Sequence, residues 1–247
     1  MIIKVCGMRE PENIRAVEEC TVDMMGFIFY PQSPRFVAKK PGYLPDKIRR
    51  IGVFVDETLE NIRSRITEYG LYGVQLHGNE PPHLCKALRS SGVKVIKAFP
   101  IRDRFCLEAC RNYEYVCDYF LFDTPTPGYG GSGAVFDWKL LDRYNGKTPF
   151  LLSGGIGTEN IGSLRPFSHP RWAGIDLNSR FETAPALKDA EKLKAFIREF
   201  RSIYDNNPTK TTILSTESTN YSQPRKEVYY RYTSVPDIRL STGPGKS

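Results

Sequence analysis

The sequence predicts an α/β fold, a single (β/α)8 TIM barrel followed by a poorly ordered C-terminal tail. Residues 1–204 contain eight short apolar runs that alternate with amphipathic stretches, which is the pattern of repeated strand–helix units. Hydrophobic residues make up 40% of the 247 residues, enough for a sizeable core. A doubly wound open sheet is the competing fold, but it usually carries a GxGxxG turn after its first strand. Here that turn reads CGMREP.

The eight runs are rich in β-branched and aromatic residues and are short enough to be buried strands. They are Ile2 to Cys6, Met25 to Tyr30, Arg50 to Val55, Tyr72 to His77, Val93 to Phe99, Tyr119 to Asp123, Pro149 to Gly154 and Trp172 to Leu177.

Helices are predicted between these strands where apolar residues recur at helical spacing. The clearest are Glu12 to Cys20, Thr58 to Tyr69 with Thr58 as the N-cap, Pro82 to Ser90 and Asp189 to Ser202. The connection from Arg35 to Ile51 contains Pro41 and Pro45, so we expect the second helix of the barrel to be stunted.

Residues 205–247 form a polar tail that is rich in Ser, Thr, Pro and Asn and has no sustained helical period. This composition predicts disorder. The aromatic stretch Glu227 to Val235 could instead add a strand or bind a partner. We therefore expect a (β/α)8 barrel over 1–204 and an appendage over 205–247.

The chain has 35 Lys and Arg against 28 Asp and Glu, a formal net charge of +7. The basic residues are scattered and are not interleaved with aromatic residues, so we expect no nucleic-acid partner. No apolar run approaches the length of a membrane helix and the N-terminus reads as a strand, so the expectation is a cytoplasmic protein without a membrane partner. A small anionic substrate would also suit the charge. Sequence leaves the oligomeric state open between monomer and homodimer.

Six cysteines could form three disulfides in a secreted protein, but the absence of a signal peptide favours thiols. Cys106 and Cys110 share a helical face, yet no second pair of ligands completes a metal site. No metal and no organic cofactor are predicted.

Cys6 ends the first strand, two residues after Lys4, so both side chains face the same way. A nearby ammonium would favour the thiolate and make Cys6 a usable base or nucleophile. The alternative is a buried structural thiol beside a lysine that is salt-bridged inside the barrel. The pattern alone does not decide between them.

In a (β/α)8 barrel the chemistry lies at the C-terminal ends of the strands. Asp123 ends the sixth strand and opens the glycine-rich segment DTPTPGYGGSG. The segment SGGIGTEN follows the seventh strand, and its Gly154 and Gly155 amides, with a helix capped by Thr158, suit a phosphate. Asn178 and Ser179 follow the eighth strand. The loops after strands seven and eight often bind phosphate in this fold.

Two further polar residues follow strands two and four. Arg35, between Pro34 and Phe36, could hold a carboxylate bidentately or could be an exposed loop arginine. His77 could be catalytic or satisfied by backbone, and no role is assigned to it.

Together these segments resemble the phosphoribosylanthranilate isomerase family of tryptophan biosynthesis. The matching segments lie over residues 2–182: KVCGM, GFIFYPQSPRFV, IGVFVDE, VQLHGNE, VIKAF, LFDTPTPGYGGSGAVFDW, LLSGGIGTEN and GIDLNSRFE. The combination of KVCG, DTPTPGYGGSG followed by FDW, and SGGI is specific.

The resemblance implies an Amadori rearrangement of N-(5'-phosphoribosyl)anthranilate to 1-(2-carboxyphenylamino)-1-deoxyribulose 5-phosphate. It makes Asp123 the general acid and Cys6 the general base, places Arg35 at the anthranilate carboxylate, and places Gly154, Gly155, Asn178 and Ser179 at the phosphate.

Departures from the family pattern occur after strand eight, where many members read S-S-G-V-E. This chain reads Asn178, Ser179, Arg180, Phe181, Glu182, so a glycine is missing and Arg180 could add charge at the phosphate. The tail has no counterpart in the family. The alternatives are another phosphosugar isomerase or phosphate-binding barrel, and a non-enzymatic anion-binding protein.

Overall fold

Eight parallel strands close into a barrel in a computed structural model that describes residues 1–101, 104–123 and 138–204, with only the backbone of 104 and 105. Every strand pairs with its neighbours in chain order, and the eighth pairs with the first. The strands are β1 (Ile2–Val5), β2 (Met24–Ile28), β3 (Arg49–Phe54), β4 (Gly73–Leu76), β5 (Lys94–Pro100), β6 (Tyr119–Asp123), β7 (Phe150–Leu152) and β8 (Trp172–Leu177). The predicted barrel is confirmed, and each strand overlaps a predicted run.

Helices cover the outside of the barrel unevenly. They are α1 (Pro11–Glu18), α2 (Leu59–Tyr69), α3 (Pro82–Ser90), α4 (Arg104–Ala109), α5 (Ile161–Leu164) and α6 (Ala190–Tyr204), with 3-10 turns at Cys110–Tyr113, Trp138–Arg143 and Ser179–Phe181. The described residues between β2 and β3 contain no helix, as Pro41 and Pro45 predicted. No described helix is long and apolar enough to cross a membrane.

The helix ends follow local chemistry. Pro11 occupies the first position of α1, where its missing N–H is not needed. Thr58 caps α2 by accepting a hydrogen bond from the Asn61 amide at 3.3 Å, as predicted. Gly70 ends the same helix in the left-handed conformation, with φ of 54°.

Two apolar layers hold the barrel together. A small inner cluster includes Met24, Ile51, Ile96 and Leu121, and a larger layer packs the outer faces of the strands against the helices. The predicted stripe of α6 is buried in this outer layer; it consists of Leu193, Phe196, Ile197 and Phe200. Burying a large apolar side chain contributes about 1.5–3 kcal/mol, so the outer layer provides most of the stability and leaves the strand ends open for polar groups.

A short antiparallel hairpin, β9 (Glu182–Ala184) and β10 (Leu187–Lys188), leads from β8 to α6. The periodicity did not predict it. It is tied to α1 because Asn13 exchanges two hydrogen bonds of 2.7 Å with the backbone of Lys188. The hairpin is therefore fixed against α1.

All six cysteines lie in the described part of the chain and form no disulfide there, which agrees with the prediction of thiols; they are Cys6, Cys20, Cys85, Cys106, Cys110 and Cys117. The residues predicted as a tail, 205–247, and the glycine-rich segment after Asp123, 124–133, lie outside the described residues.

Candidate active site

A cavity opens at the C-terminal ends of the strands; together with the open space at its mouth it measures about 770 Å³. It brings together all seven residues that the sequence predicted for the site: Cys6, Arg35, Asp123, Gly154, Gly155, Asn178 and Ser179. The cavity is also lined by residues to which the sequence assigned no role, among them Gln75, His77 and Asp176. Its walls combine apolar strand residues with groups able to transfer protons and hold anions, the usual composition of a ligand pocket.

Cys6 lies at the end of β1 and is 4% exposed. Gly26 of the neighbouring strand leaves room for the thiol, because a Cβ there would come within 2.7 Å of Sγ. Burial raises the pKa of Cys6, whereas the ammonium groups of Lys4 and Lys188 act to lower it. Ionisation of the Cys6 thiol is therefore favoured by these two buried cations.

Lys4 itself is fully buried and its Nζ lies 2.8 Å from Oδ1 of Asp176 on β8. The salt-bridged lysine that the sequence left open is therefore present. Lys4 is nevertheless close enough to Cys6 to favour the thiolate, so the two interpretations are compatible. Asp176 opposes this effect, because its negative charge raises the pKa of Cys6.

Asp123 ends β6 with its side chain 25% exposed, and Nε2 of His77 lies 3.4 Å from its Oδ2. His77 follows β4 and is 30% exposed. Its other ring nitrogen, Nδ1, lies 3.0 Å from Nε2 of Gln75. The predicted acid thus stands at the open side of the cavity, in contact with a histidine.

Arg35 is 7% exposed, so the interpretation as an exposed loop arginine is wrong. Its guanidinium holds Glu182 through Nε, at 2.9 Å and 3.1 Å from the two carboxylate oxygens, and through Nη2 at 2.6 Å. The bidentate partner in this structure is a carboxylate of the protein itself. Lys188 donates to the same carboxylate at 2.6 Å.

These three buried side chains carry two positive charges and one negative charge. Burial raises the pKa of Glu182, but hydrogen bonds and charges from Arg35 and Lys188 outweigh it and hold that pKa below the usual value. Burial lowers the pKa of Lys188, although Glu182 opposes this. The network leaves an excess of positive charge at the wall of the cavity, which suits an anionic substrate.

Gly7 connects this network to the C-terminal end of β1. Its φ is +78°, and a Cβ there would lie 2.6 Å from Cδ of Arg35 and 2.9 Å from Oδ1 of Asn178. Only glycine adopts this conformation without strain and leaves space for both neighbours. Asn178 is fixed in turn, because its Oδ1 accepts a hydrogen bond of 2.8 Å from Lys188.

The loops after β7 and β8 form the other end of the cavity. Gly154 and Gly155 have φ values of 83° and 67°. Among the described residues, no hydrogen-bond acceptor takes the amide N–H groups of Gly154, Gly155 or Ser179. Arg180 lies beside them and pairs with Glu159 at 3.0 Å. Amides together with a guanidinium group suit a phosphate.

Asn160, rather than Thr158, organises the loop after β7. Its Oδ1 accepts from the Gly157 amide at 2.9 Å, and its Nδ2 donates to the Gly155 carbonyl at 2.6 Å. The predicted cap by Thr158 is wrong: α5 begins at Ile161, after Asn160, and the Thr158 hydroxyl points to Glu159. The positive φ angles of Gly154 and Gly155 let the chain fold back, so that the side chain of Asn160 reaches the backbone of the loop after β7.

The sequence did not identify Gln75, Glu182 or Lys188 as part of the site. Gln75 stands two residues before His77, so on a strand both face the same side, and this spacing could have indicated the pair. Lys188 reaches the site through the β9–β10 hairpin, for which the sequence gave no periodic signal.

The chain is similar to known proteins over most of its length. A family model described as N-(5'-phosphoribosyl)anthranilate (PRA) isomerase matches residues 3–199. A relative of the same name from Phocaeicola vulgatus is 56% identical over 201 residues, which are 81% of this chain and 98% of the relative.

Solved structures of isomerases with this name are also similar to the chain. The crystal structure of phosphoribosyl anthranilate isomerase from Thermotoga maritima has a TM-score of 0.70 and 34% identity, and covers 82% of this chain and all of its own. A crystal structure of such an isomerase in complex with reduced 1-(o-carboxyphenylamino)-1-deoxyribulose 5-phosphate has a TM-score of 0.67 and 31% identity, with 82% and 100% covered.

Proposed function

The chain belongs to the N-(5'-phosphoribosyl)anthranilate isomerase family and isomerises phosphoribosylanthranilate in tryptophan biosynthesis, and we propose that Cys6 and Asp123 are the general base and general acid of this reaction. The observation that carries the proposal is the shared cavity, which is lined by the thiol at the end of β1 and by the carboxyl at the end of β6. The family membership favours this isomerisation over the alternatives of another phosphosugar enzyme and a non-enzymatic anion-binding protein.

The first step is ring opening. Asp123 donates its proton to the furanose ring oxygen, the C1'–O bond breaks, and the anthranilate nitrogen supplies the electron pair that forms the Schiff base. Asp123 is left as a carboxylate. Because its side chain is partly exposed in the cavity, it can receive a proton again after each turnover.

The second step is proton abstraction. The Cys6 thiolate takes the proton from C2', and the electron pair moves toward the nitrogen to give an enolamine. Loss of the proton from the C2' hydroxyl and protonation at C1' then yield the ketone. The positive charge of the Schiff base stabilises the developing electron pair, so no metal or organic cofactor is required.

The phosphate and the carboxylate of the substrate determine how the substrate is oriented in the cavity. We propose that Gly154, Gly155, Asn178 and Ser179 receive the phosphate, with Arg180 adding a charge to compensate for the departure from the family pattern. Arg35 is placed to meet the anthranilate carboxylate through Nη1, since Glu182 occupies Nε and Nη2. The excess positive charge of the Arg35–Glu182–Lys188 network supports this orientation.

Two variants test the assignment. In Cys6→Ser and Asp123→Asn we expect kcat to fall by about 10²–10⁴-fold, the contribution of one proton-transfer group. Turnover is measured from the loss of phosphoribosylanthranilate fluorescence, and binding of the reduced product by calorimetry. Both variants should still bind the reduced product, since the phosphate and carboxylate contacts are unchanged. Wild-type turnover in either variant would contradict its assigned role.

A further inference from the structure

Three side chains form a directed chain that ends on the proposed acid. Gln75 lies in β4 and is 1% exposed, and His77 follows the strand. The chain runs from Gln75 Nε2 to His77 Nδ1 at 3.0 Å, and from His77 Nε2 to Asp123 Oδ2 at 3.4 Å. The second distance is long for a hydrogen bond, as catalytic hydrogen bonds often are before substrate binds.

The order of donors along this chain defines the histidine tautomer. The amide nitrogen of Gln75 can only donate, so Nδ1 of His77 must accept. A neutral imidazole that accepts at Nδ1 carries its proton on Nε2. That N–H points to Oδ2 of Asp123.

Gln75 is held in this orientation at a cost to stability. Its Oε1 is buried and has no hydrogen-bond partner among the described residues. A buried polar atom without a partner is rare in a native structure and calls for an explanation. The hydrogen bond from its amide to His77, inside the cavity, provides one.

The backbone around His77 is rigid. Its amide donates to the Phe54 carbonyl at 2.8 Å, and the next residue, Gly78, donates to Glu80 at 3.0 Å. Glu80 is itself buried against Lys97, with Nζ 3.2 Å from Oε2. The buried pair therefore fixes the backbone that carries His77 beside Asp123.

We propose that His77 is a positioning residue for Asp123: held as the Nε2–H tautomer by Gln75, it fixes the carboxyl and stabilises the carboxylate that remains after the proton is donated to the ring oxygen. The inference rests on the proposed role of Asp123 as the acid. It assigns a role to the VQLH segment that the sequence left open.

The kinetic test compares two substitutions of His77. His77→Leu removes the N–H donor, and we expect kcat to fall about 10–100-fold while KM changes by less than about threefold, the effect of losing a hydrogen bond to a charged group. In His77→Gln, an amide N–H reaches approximately the position of Nε2 and should restore most of kcat. His83→Leu, the same substitution at an exposed position on α3, should have no effect. Equal losses in His77→Leu and His77→Gln would overturn the proposal.

A spectroscopic measurement tests the tautomer without turnover. Long-range ¹H–¹⁵N correlation spectra of the full chain should show His77 protonated on Nε2 and unprotonated on Nδ1. Gln75→Glu, which can only accept when ionised, should move the proton to Nδ1 or give the doubly protonated ring. Protonation on Nδ1 in the wild type would overturn the proposal.

A double-mutant cycle separates this inference from the assignment of Asp123. If His77 acts through Asp123, His77→Leu should cause little further loss of residual turnover in an Asp123→Asn background. The same loss in both backgrounds would overturn the positioning role while leaving Asp123 as the acid. Full activity in Asp123→Asn alone would instead overturn the acid assignment.

Discussion

Glu182 provides the negative charge that balances two buried cations at the wall of the cavity, Arg35 and Lys188. Its carboxylate accepts from Arg35 and Lys188 and also from the amide of Ala186 at 3.1 Å. Removing it would leave two buried cations without a counter-charge, and such a change is far more costly than the loss of an exposed ion pair. The network is therefore expected to matter for stability as well as for substrate binding.

We expect Glu182→Gln to lower the free energy of unfolding by about 3–5 kcal/mol at neutral pH, measured by urea denaturation. Because the pKa of Glu182 is held below its usual 4.5, the ionised carboxylate stabilises the fold above that value. This contribution is lost as the pH falls through the lowered pKa. The difference between wild type and variant should be complete above about pH 5 and shrink in more acidic buffer.

The matched control is Glu60→Gln, at an exposed position in the first turn of α2. It should change stability by only a few tenths of a kcal/mol. A difference between wild type and Glu182→Gln that did not change with pH would contradict the ionised network.

At the scale of elements, the turn after β7 is shaped by Asn160. Without its side chain, the Gly157 amide and the Gly155 carbonyl lose their partner, and the two glycines in left-handed conformations are no longer fixed. In Asn160→Ala we expect KM for the phosphorylated substrate and the inhibition constant of inorganic phosphate to rise together, by roughly tenfold for a lost hydrogen bond, with kcat little changed.

Thr158→Ala serves as the comparison, since among the described residues the Thr158 hydroxyl makes a hydrogen bond only to Glu159, at 3.4 Å. Thr158→Ala should leave KM and the inhibition constant of inorganic phosphate as in the wild type. If Thr158→Ala raised them and Asn160→Ala did not, the capping role first expected for Thr158 would be restored.

How far sequence predicts structure also differs between elements. The strands and the stripe of α6 were predictable because burial imposes a period on apolar residues, as in Phe196 and Phe200. The site residues at strand ends followed from the geometry of the barrel together with the family motifs. The β9–β10 hairpin was not predictable in this way, since its position depends on long-range contacts of Lys188 with Asn13 and Glu182.

The burial of the Arg35 side chain could not be predicted from the sequence either, because it also depends on a long-range contact. Its local sequence, between Pro34 and Phe36, is compatible with exposure, and only a partner 147 residues away makes it buried. Similarly, the spacing of Lys4 and Cys6 indicated that they share a face, but it could not show that Asp176 holds the lysine.

At the scale of the whole molecule, the barrel and the polar tail are predicted to be separable. The matched family region ends at residue 199, and the Phocaeicola vulgatus relative is covered almost completely by 201 aligned residues. Deleting residues 205–247 should therefore leave kcat/KM within about twofold of the wild type, as expected for a polar terminal segment. A large loss of turnover, measured at equal concentrations of folded protein, would show that the tail serves the site.

The central claim is that Cys6 removes the C2' proton in the cavity that also holds Asp123. The most direct test is the single-turnover rate with substrate carrying hydrogen or deuterium at C2', in the wild type and in Cys6→Ser. We expect a primary isotope effect in the wild type and a rate at least about 100-fold lower in the variant. A Cys6→Ser variant that converts both substrates as fast as the wild type would contradict it.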